Sequence, residues 1–270
     1  MNITNIIKHY IVKSPLHKTA KNIEARILST KMVFSGSEIV NHKTVYCISP
    51  FKTGTTYLSS CFNPEMSKHE PIHYLSYKNL DKDFDSFFIK RLNYLNLKLE
   101  CSGHWSAYIN ELAHNEIAKD LDYICILRSP SSWVTSVINH WHMLCKKKHS
   151  FNFANELFWK QKVGVDLFAF KIGIESKKNQ EIIEGLIRFY FDFTKNTSLL
   201  NNITYIKLKE IDKDLPLVES LIHEDSTNNK RWKREAKEKY FVYENKSIDM
   251  EYDRLTSRLI KENKSLITTN

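Results

Sequence analysis

Along this chain, short apolar runs alternate with longer stretches in which apolar residues return every three or four positions. The short runs predict strands at 43–49 (KTVYCIS), 97–101 (LKLEC), 122–128 (DYICILR) and 203–211 (ITYIKLKEI). The longer stretches predict a helix from about Thr55, then helices over 106–119, 131–145, 179–195 and 249–264. Strands that alternate with helices in this way are joined by crossovers into a parallel sheet. The expected fold is α/β, a P-loop-like three-layer sandwich with a central parallel sheet in a single domain.

Two regions depart from the pattern. Residues 1–40 read as an N-terminal helical arm, with Ile3, Ile6, Ile7, Tyr10 and Ile11 forming a small apolar stripe. Packing on the α/β domain of residues 41–270 is its expected use, although its basic, amphipathic character also suits a membrane surface or a partner. Residues 146–178 show no clean period and read as an insertion over one end of the sheet, where loops that bind an acceptor tend to sit.

Composition narrows the class. With 42% hydrophobic and 26% charged residues, and only 6 Gly and 6 Pro in 270, the chain is globular and neither disordered nor collagen-like. No segment approaches the length of a membrane span and the N-terminus lacks a signal-peptide core, so the expectation is a cytoplasmic protein without stable membrane insertion. Cys47, Cys61, Cys101, Cys125 and Cys145 are odd in number and widely spaced, which reads as free thiols. The net charge of +9 admits nucleic acid, an acidic surface or a polyanionic small ligand and does not choose among them.

The chemistry concentrates where strands end. After the first strand comes SPFKTGTTYLSS, residues 49–60. Gly54 allows a close backbone approach, the following helix start turns its N–H groups outward, Lys52 adds a full charge, and Thr53, Thr55 and Thr56 add hydroxyls. That is a cradle for a phosphate or sulfate, against the plainer reading of an N-capped strand-to-helix turn. It is not a Walker A loop, because the Lys precedes the only Gly. After the third strand, Arg128 stands before a helix whose Val134, Val137, Ile138 and Trp141 must face the core. Ser136 then points elsewhere and, with Arg128, is placed to clamp a second anion.

Together the two sites resemble the signatures of the sulfotransferases that use 3'-phosphoadenosine 5'-phosphosulfate (PAPS), nearer the carbohydrate-type and bacterial members than the cytosolic small-molecule group. The resemblance covers residues 43–141. It implies that Lys52, Thr53, Gly54, Thr55 and Thr56 hold the 5'-phosphosulfate, and that Arg128 with Ser136, eight positions on, holds the 3'-phosphate. It also implies that Tyr57 takes the place of an adenine-stacking Trp. The C-terminal RKGxxGDW box of the cytosolic group is absent. In its place NNKRWKREAK offers Lys230, Arg231, Lys233 and Arg234, either to close over the 3'-phosphate or as a solvated helix.

Sulfuryl transfer relies on positioning and charge stabilisation, with Lys52 neutralising the leaving phosphate and no metal required. A general base must take the acceptor's proton. Glu70, in KHEPIHYL, resembles the Glu of carbohydrate members, whereas His104, in ECSGHW, resembles the His of the cytosolic group. His69 and His73 are weaker neighbours, and no histidines fall at metal-ligand spacing. The acceptor would be a hydroxyl of a sugar or small molecule. Two other readings stay open. A P-loop-like nucleotide-dependent kinase would use Mg2+ and an Asp at a strand end, for which Asp212 in KEID is available. A non-catalytic anion or nucleic-acid-binding module has only the net charge behind it and lacks interleaved aromatics.

Overall fold

A computed structural model describes residues 14, 16–34, 43–146, 152–227 and 239–267. Five strands, β1 (Val45–Cys47), β2 (Ser67–His69), β3 (Leu99–Cys101), β4 (Asp122–Leu127) and β5 (Asn202–Lys207), form one all-parallel sheet in the order β2-β3-β1-β4-β5. Nine α-helices are seen among the described residues: α1 (Leu16–Phe34), α2 (Thr55–Ser60), α3 (His73–Asn79), α4 (Phe84–Leu95), α5 (Ile109–His114), α6 (Pro130–Lys146), α7 (Lys177–Asn196), α8 (Leu215–Ile222) and α9 (Lys246–Ile267). The fold is the three-layer α/β sandwich expected from the sequence.

The central strands are apolar on both sides because both sides are covered. Val45, Cys47, Ile124 and Ile126 face a cluster built with Tyr57 and Leu58 of α2 and with Leu215 and Val218 of α8. The alternate residues Tyr46, Ile48, Tyr123 and Cys125 pack on the other face against α1, α3 and α4. Local chemistry sets the helix ends. Asp83 caps α4 by accepting from the Ser86 N–H at 3.0 Å, Ser176 caps α7 through the Asn179 N–H at 3.2 Å, and Pro130 opens α6, where a missing N–H costs nothing.

One expectation changes, one is sharpened and one falls outside the described residues. The helix expected over 106–119 is broken into α5 and two 3-10 turns, Gly103–Ala107 and Ala118–Asp120. The aromatic insertion is mostly core: a π-helix, Asn155–Val163, buries Phe158 and Trp159 completely against α6 and α7. The apolar stripe of residues 3–11 lies outside the described residues, and α1 is the described part of the arm. That helix buries Ala25 and Met32 on the domain, and Asn22 accepts from the Tyr74 hydroxyl and the Lys78 ammonium, both at 2.7 Å.

The strand order places the site. From β1 the chain leaves toward β2, and from β4 it leaves in the opposite direction toward β5, so a crevice opens between the carboxyl ends of β1 and β4. No described helix is long and apolar enough to cross a membrane. Cys47, Cys61, Cys101 and Cys125 are buried free thiols and Cys145 is exposed.

Candidate functional site

A cavity of about 640 Å³ occupies that crevice. The segments that follow four of the five strands contribute to it: Lys52 and Thr56 after β1, Glu70 after β2, Arg128 and Ser136 after β4, and Asp212 after β5.

The turn after β1 is built from backbone in unusual conformations. Lys52 has φ of 70° and Gly54 of 112°, so two left-handed residues bracket Thr53 and curl the chain into the type of concavity that collects anions. Gly54 has a second reason to lack a side chain, since a Cβ there would lie 2.6 Å from Leu208 Cδ1. The Thr53 side chain is completely buried and donates to the Pro50 carbonyl at 2.7 Å, so its hydroxyl holds the turn together and does not face the cavity. Thr55 and Thr56 do line it. With only six residues α2 contributes little macrodipole, so Lys52 and the two hydroxyls are the main polar groups the turn presents to the cavity.

Helix α6 clamps the same turn from the other side. Arg128 donates from Nη1 to the Lys52 carbonyl at 2.7 Å and from Nε to Ser132 Oγ at 2.9 Å, and Trp133 donates from Nε1 to the Phe51 carbonyl at 2.7 Å. Nη2 of Arg128 has no partner among the described residues. Tyr190 donates to the Arg128 carbonyl at 2.9 Å and stacks on Trp133, fixing the end of β4. Val134, Val137, Ile138 and Trp141 are all buried, as the helical spacing requires, and Ser136 is turned to the cavity.

Glu70 follows edge strand β2 and is anchored by its N–H, which donates to the Cys101 carbonyl at 3.0 Å. Glu70 and Ile72, at φ of 51° and 44°, are left-handed residues on either side of Pro71, a conformation that costs roughly 1–3 kcal/mol per residue and so must be held by its surroundings. Much of that hold comes from Arg91, itself fully buried. Its guanidinium pairs with Glu100, donates from Nη2 to the Pro71 carbonyl at 3.2 Å and from Nε to Ser76 Oγ at 2.9 Å.

The carboxylate of Glu70 lies 3.6 Å from His69 Nε2 and 3.8 Å from His73 Nδ1, neither of which is a hydrogen bond. Burial therefore pushes its pKa up to about 7, with the nearby Lys52 charge opposing the shift. His73 is driven the other way by burial, down to about 4, and its Nδ1–H donates to the Glu70 carbonyl at 2.8 Å. Near neutral pH the site thus offers a carboxyl poised to lose or take a proton beside a neutral imidazole.

His104 is not brought to the cavity. Its 3-10 turn packs under Phe51, the ring is completely buried between Trp105 and Tyr77, and burial holds its pKa well below the ordinary histidine value. Tyr57 lines the cavity with its hydroxyl donating to the Asp212 carboxylate. Lys230 and Arg231 lie outside the described residues. Among the described residues no group of three or more His, Cys, Asp or Glu is arranged to hold a metal ion.

Arg91 sits unmarked in an amphipathic helix and nothing in the sequence singles it out, whereas Phe153 belongs to the insertion expected over the end of the sheet and packs its ring 4.7 Å from His73 at the cavity. The pairing of His69 with Thr55 and Thr56 joins segments that the sequence does not link.

No protein-family model matches the chain, and no curated protein matches it. Among solved structures it is similar to a sulfotransferase from Alicyclobacillus acidocaldarius at 13% identity and a TM-score of 0.43, with 85% of this chain and 97% of that chain covered. At that identity and score the likeness adds nothing to what the residues themselves support.

Proposed function

We propose that this protein is a sulfotransferase that moves a sulfuryl group from PAPS to a hydroxyl of a sugar or small-molecule acceptor. The observation that carries the reading is the meeting of two anion-binding turns, Lys52–Thr56 and Arg128 with Ser136, in one cavity with a carboxyl poised near neutrality.

The donor set fits such a ligand. PAPS, when bound, supplies an activated sulfuryl group and two separated anionic ends. Lys52, Thr55 and Thr56 offer a charge and hydroxyls at one end, and the absent Cβ of Gly54 leaves the backbone approachable there. Arg128 and Ser136 offer a planar cation and a hydroxyl at the other end. Tyr57 lines the cavity, and its ring is the group on which a base would stack. Lys230 and Arg231 would add cations on the 3' side.

Glu70 takes the acceptor's proton, because it alone of the two candidates reaches the cavity and its pKa is matched to that work near pH 7. Lys52 stabilises charge that develops on the leaving phosphate, and the same charge keeps Glu70 from being held protonated far above neutrality.

The direct test follows release of 3',5'-adenosine bisphosphate from PAPS across a panel of sugars, phenols and alkyl alcohols. Glu70→Gln should lower kcat by about a hundredfold to ten-thousandfold while leaving affinity for the bisphosphate within a few-fold. Turnover undiminished in Glu70→Gln would remove Glu70 as the base.

A kinase would use Asp212 as a metal ligand. That carboxylate lies in the cavity and accepts from the Tyr57 hydroxyl, and among the described residues no group of three or more His, Cys, Asp or Glu is gathered to hold a metal ion.

A further inference from the structure

His69 lines the cavity beside the anion turn, 28% exposed, with its Nε2 at 3.2 Å from Thr55 Oγ1 and 3.1 Å from Thr56 Oγ1. One ring nitrogen meets two hydroxyls at nearly equal distances, and that constrains which atom carries the proton. A bare Nε2 has a single in-plane lone pair. It would take the proton of one threonine, and that hydroxyl would then have none to give a ligand. An Nε2–H, by contrast, can be shared between two oxygen lone pairs in a three-centre bond, leaving both hydroxyl protons to turn toward the cavity.

Position supports the second arrangement. His69 is the last residue of β2, paired in register with Cys101 of β3, so its backbone is fixed by the sheet. The Glu70 carboxylate, 3.6 Å away, is a further acceptor beside the same nitrogen. Three oxygens, each able to accept, surround Nε2, which is a setting for a donor.

We propose that His69 is a positioning residue: its Nε2–H, held between Thr55 and Thr56, orients both hydroxyls as donors to the anion in the turn. It acts through the threonines and need not touch the ligand. The inference rests on the reading above only in taking this turn to hold an anion, whether or not that anion belongs to PAPS.

Two measurements test it. In the ligand-free protein labelled with 15N-histidine, long-range nitrogen–proton correlation gives the His69 tautomer, the signal being assigned by its loss in His69→Gln. Protonated Nε2 is expected, and a bare Nε2 with the proton on Nδ1 overturns the proposal. Calorimetry then compares wild type, His69→Gln and His69→Leu with inorganic pyrophosphate and with 3',5'-adenosine bisphosphate as probes. Gln restores an N–H donor at similar reach and Leu does not. The Leu variant should bind both probes about tenfold or more weakly and the Gln variant within about threefold of wild type.

Equal binding by Leu and wild type overturns the role of His69 while leaving the donor reading intact. If pyrophosphate binds with this dependence and the bisphosphate does not bind at all, the His69 assignment stands and the PAPS reading falls. If neither probe binds wild type, both fall.

Discussion

Between pH 4.5 and 7 the folded chain keeps a proton on Glu70 that the unfolded chain releases, because burial raises this carboxyl from the ordinary 4.5 to about 7. Where the native state binds more protons, stability falls as pH rises, so Glu70 weakens the fold progressively up to pH 7. His73, lowered to about 4, acts in the opposite sense between pH 4 and 6.5, where the unfolded state binds more protons. Glu70→Gln isolates the first effect. Above pH 7 the variant should be more stable than wild type, by on the order of 2 kcal/mol in urea unfolding, with the difference shrinking toward pH 4.5. The same ionisation should appear in catalysis as a kcat/KM that rises through about pH 7 and then levels. A residue that lowers stability in order to keep a usable base is what a functional site would retain. Equal stability of the two proteins at pH 8 would show that Glu70 is not desolvated in the way its position implies.

At the scale of elements, what was legible in the sequence divides along a physical line. Strands β1 and β4 and helix α6 were readable because buried runs and a three-and-four spacing are local signals, and Lys52 and Gly54 stand two positions apart in the chain. Edge strand β2 was not readable. Its sequence is Ser-Lys-His, only Ser67 is buried, and it is a strand because β3 offers a partner edge, not because of its own pattern. The choice between Glu70 and His104 was open for a related reason: both follow strands, and only packing shows that Phe51, Trp105 and Tyr77 close over the histidine. Arg91 makes the point again. Nothing in FFIKRLNYL marks Arg91 apart from Lys90, yet Arg91 is sealed inside with Glu100 and supports the turn that carries Glu70. Arg91→Met would strand a buried Glu100 and free the Pro71 carbonyl. It should destabilise the fold by about 3–5 kcal/mol, and the residual folded protein should show a weakened pH dependence near 7. A loss under 1 kcal/mol in urea unfolding would mean that Glu100 finds another partner and that the turn does not depend on Arg91.

For the molecule as a whole, the divergence of connections at β1 and β4 does the organising. Two turns more than seventy residues apart in the chain become the two walls of one crevice, and the Arg128 bond to the Lys52 carbonyl ties them to each other. On the proposed reading Arg128 has two tasks, holding the first turn and presenting its remaining nitrogen to a ligand, while Ser136 has only the second. This separation matters for the test of the central claim. Calorimetry of wild type, Arg128→Lys and Ser136→Ala should be run with 3',5'-adenosine bisphosphate and with ATP, each with and without Mg2+. Metal-independent binding of the bisphosphate in preference to ATP is the expected result. Binding should weaken about tenfold or more in Arg128→Lys, which loses the planar fork, and less in Ser136→Ala, which loses one hydroxyl. Tighter binding of ATP with Mg2+ than of the bisphosphate, or bisphosphate affinity unchanged in both variants, would contradict the central claim.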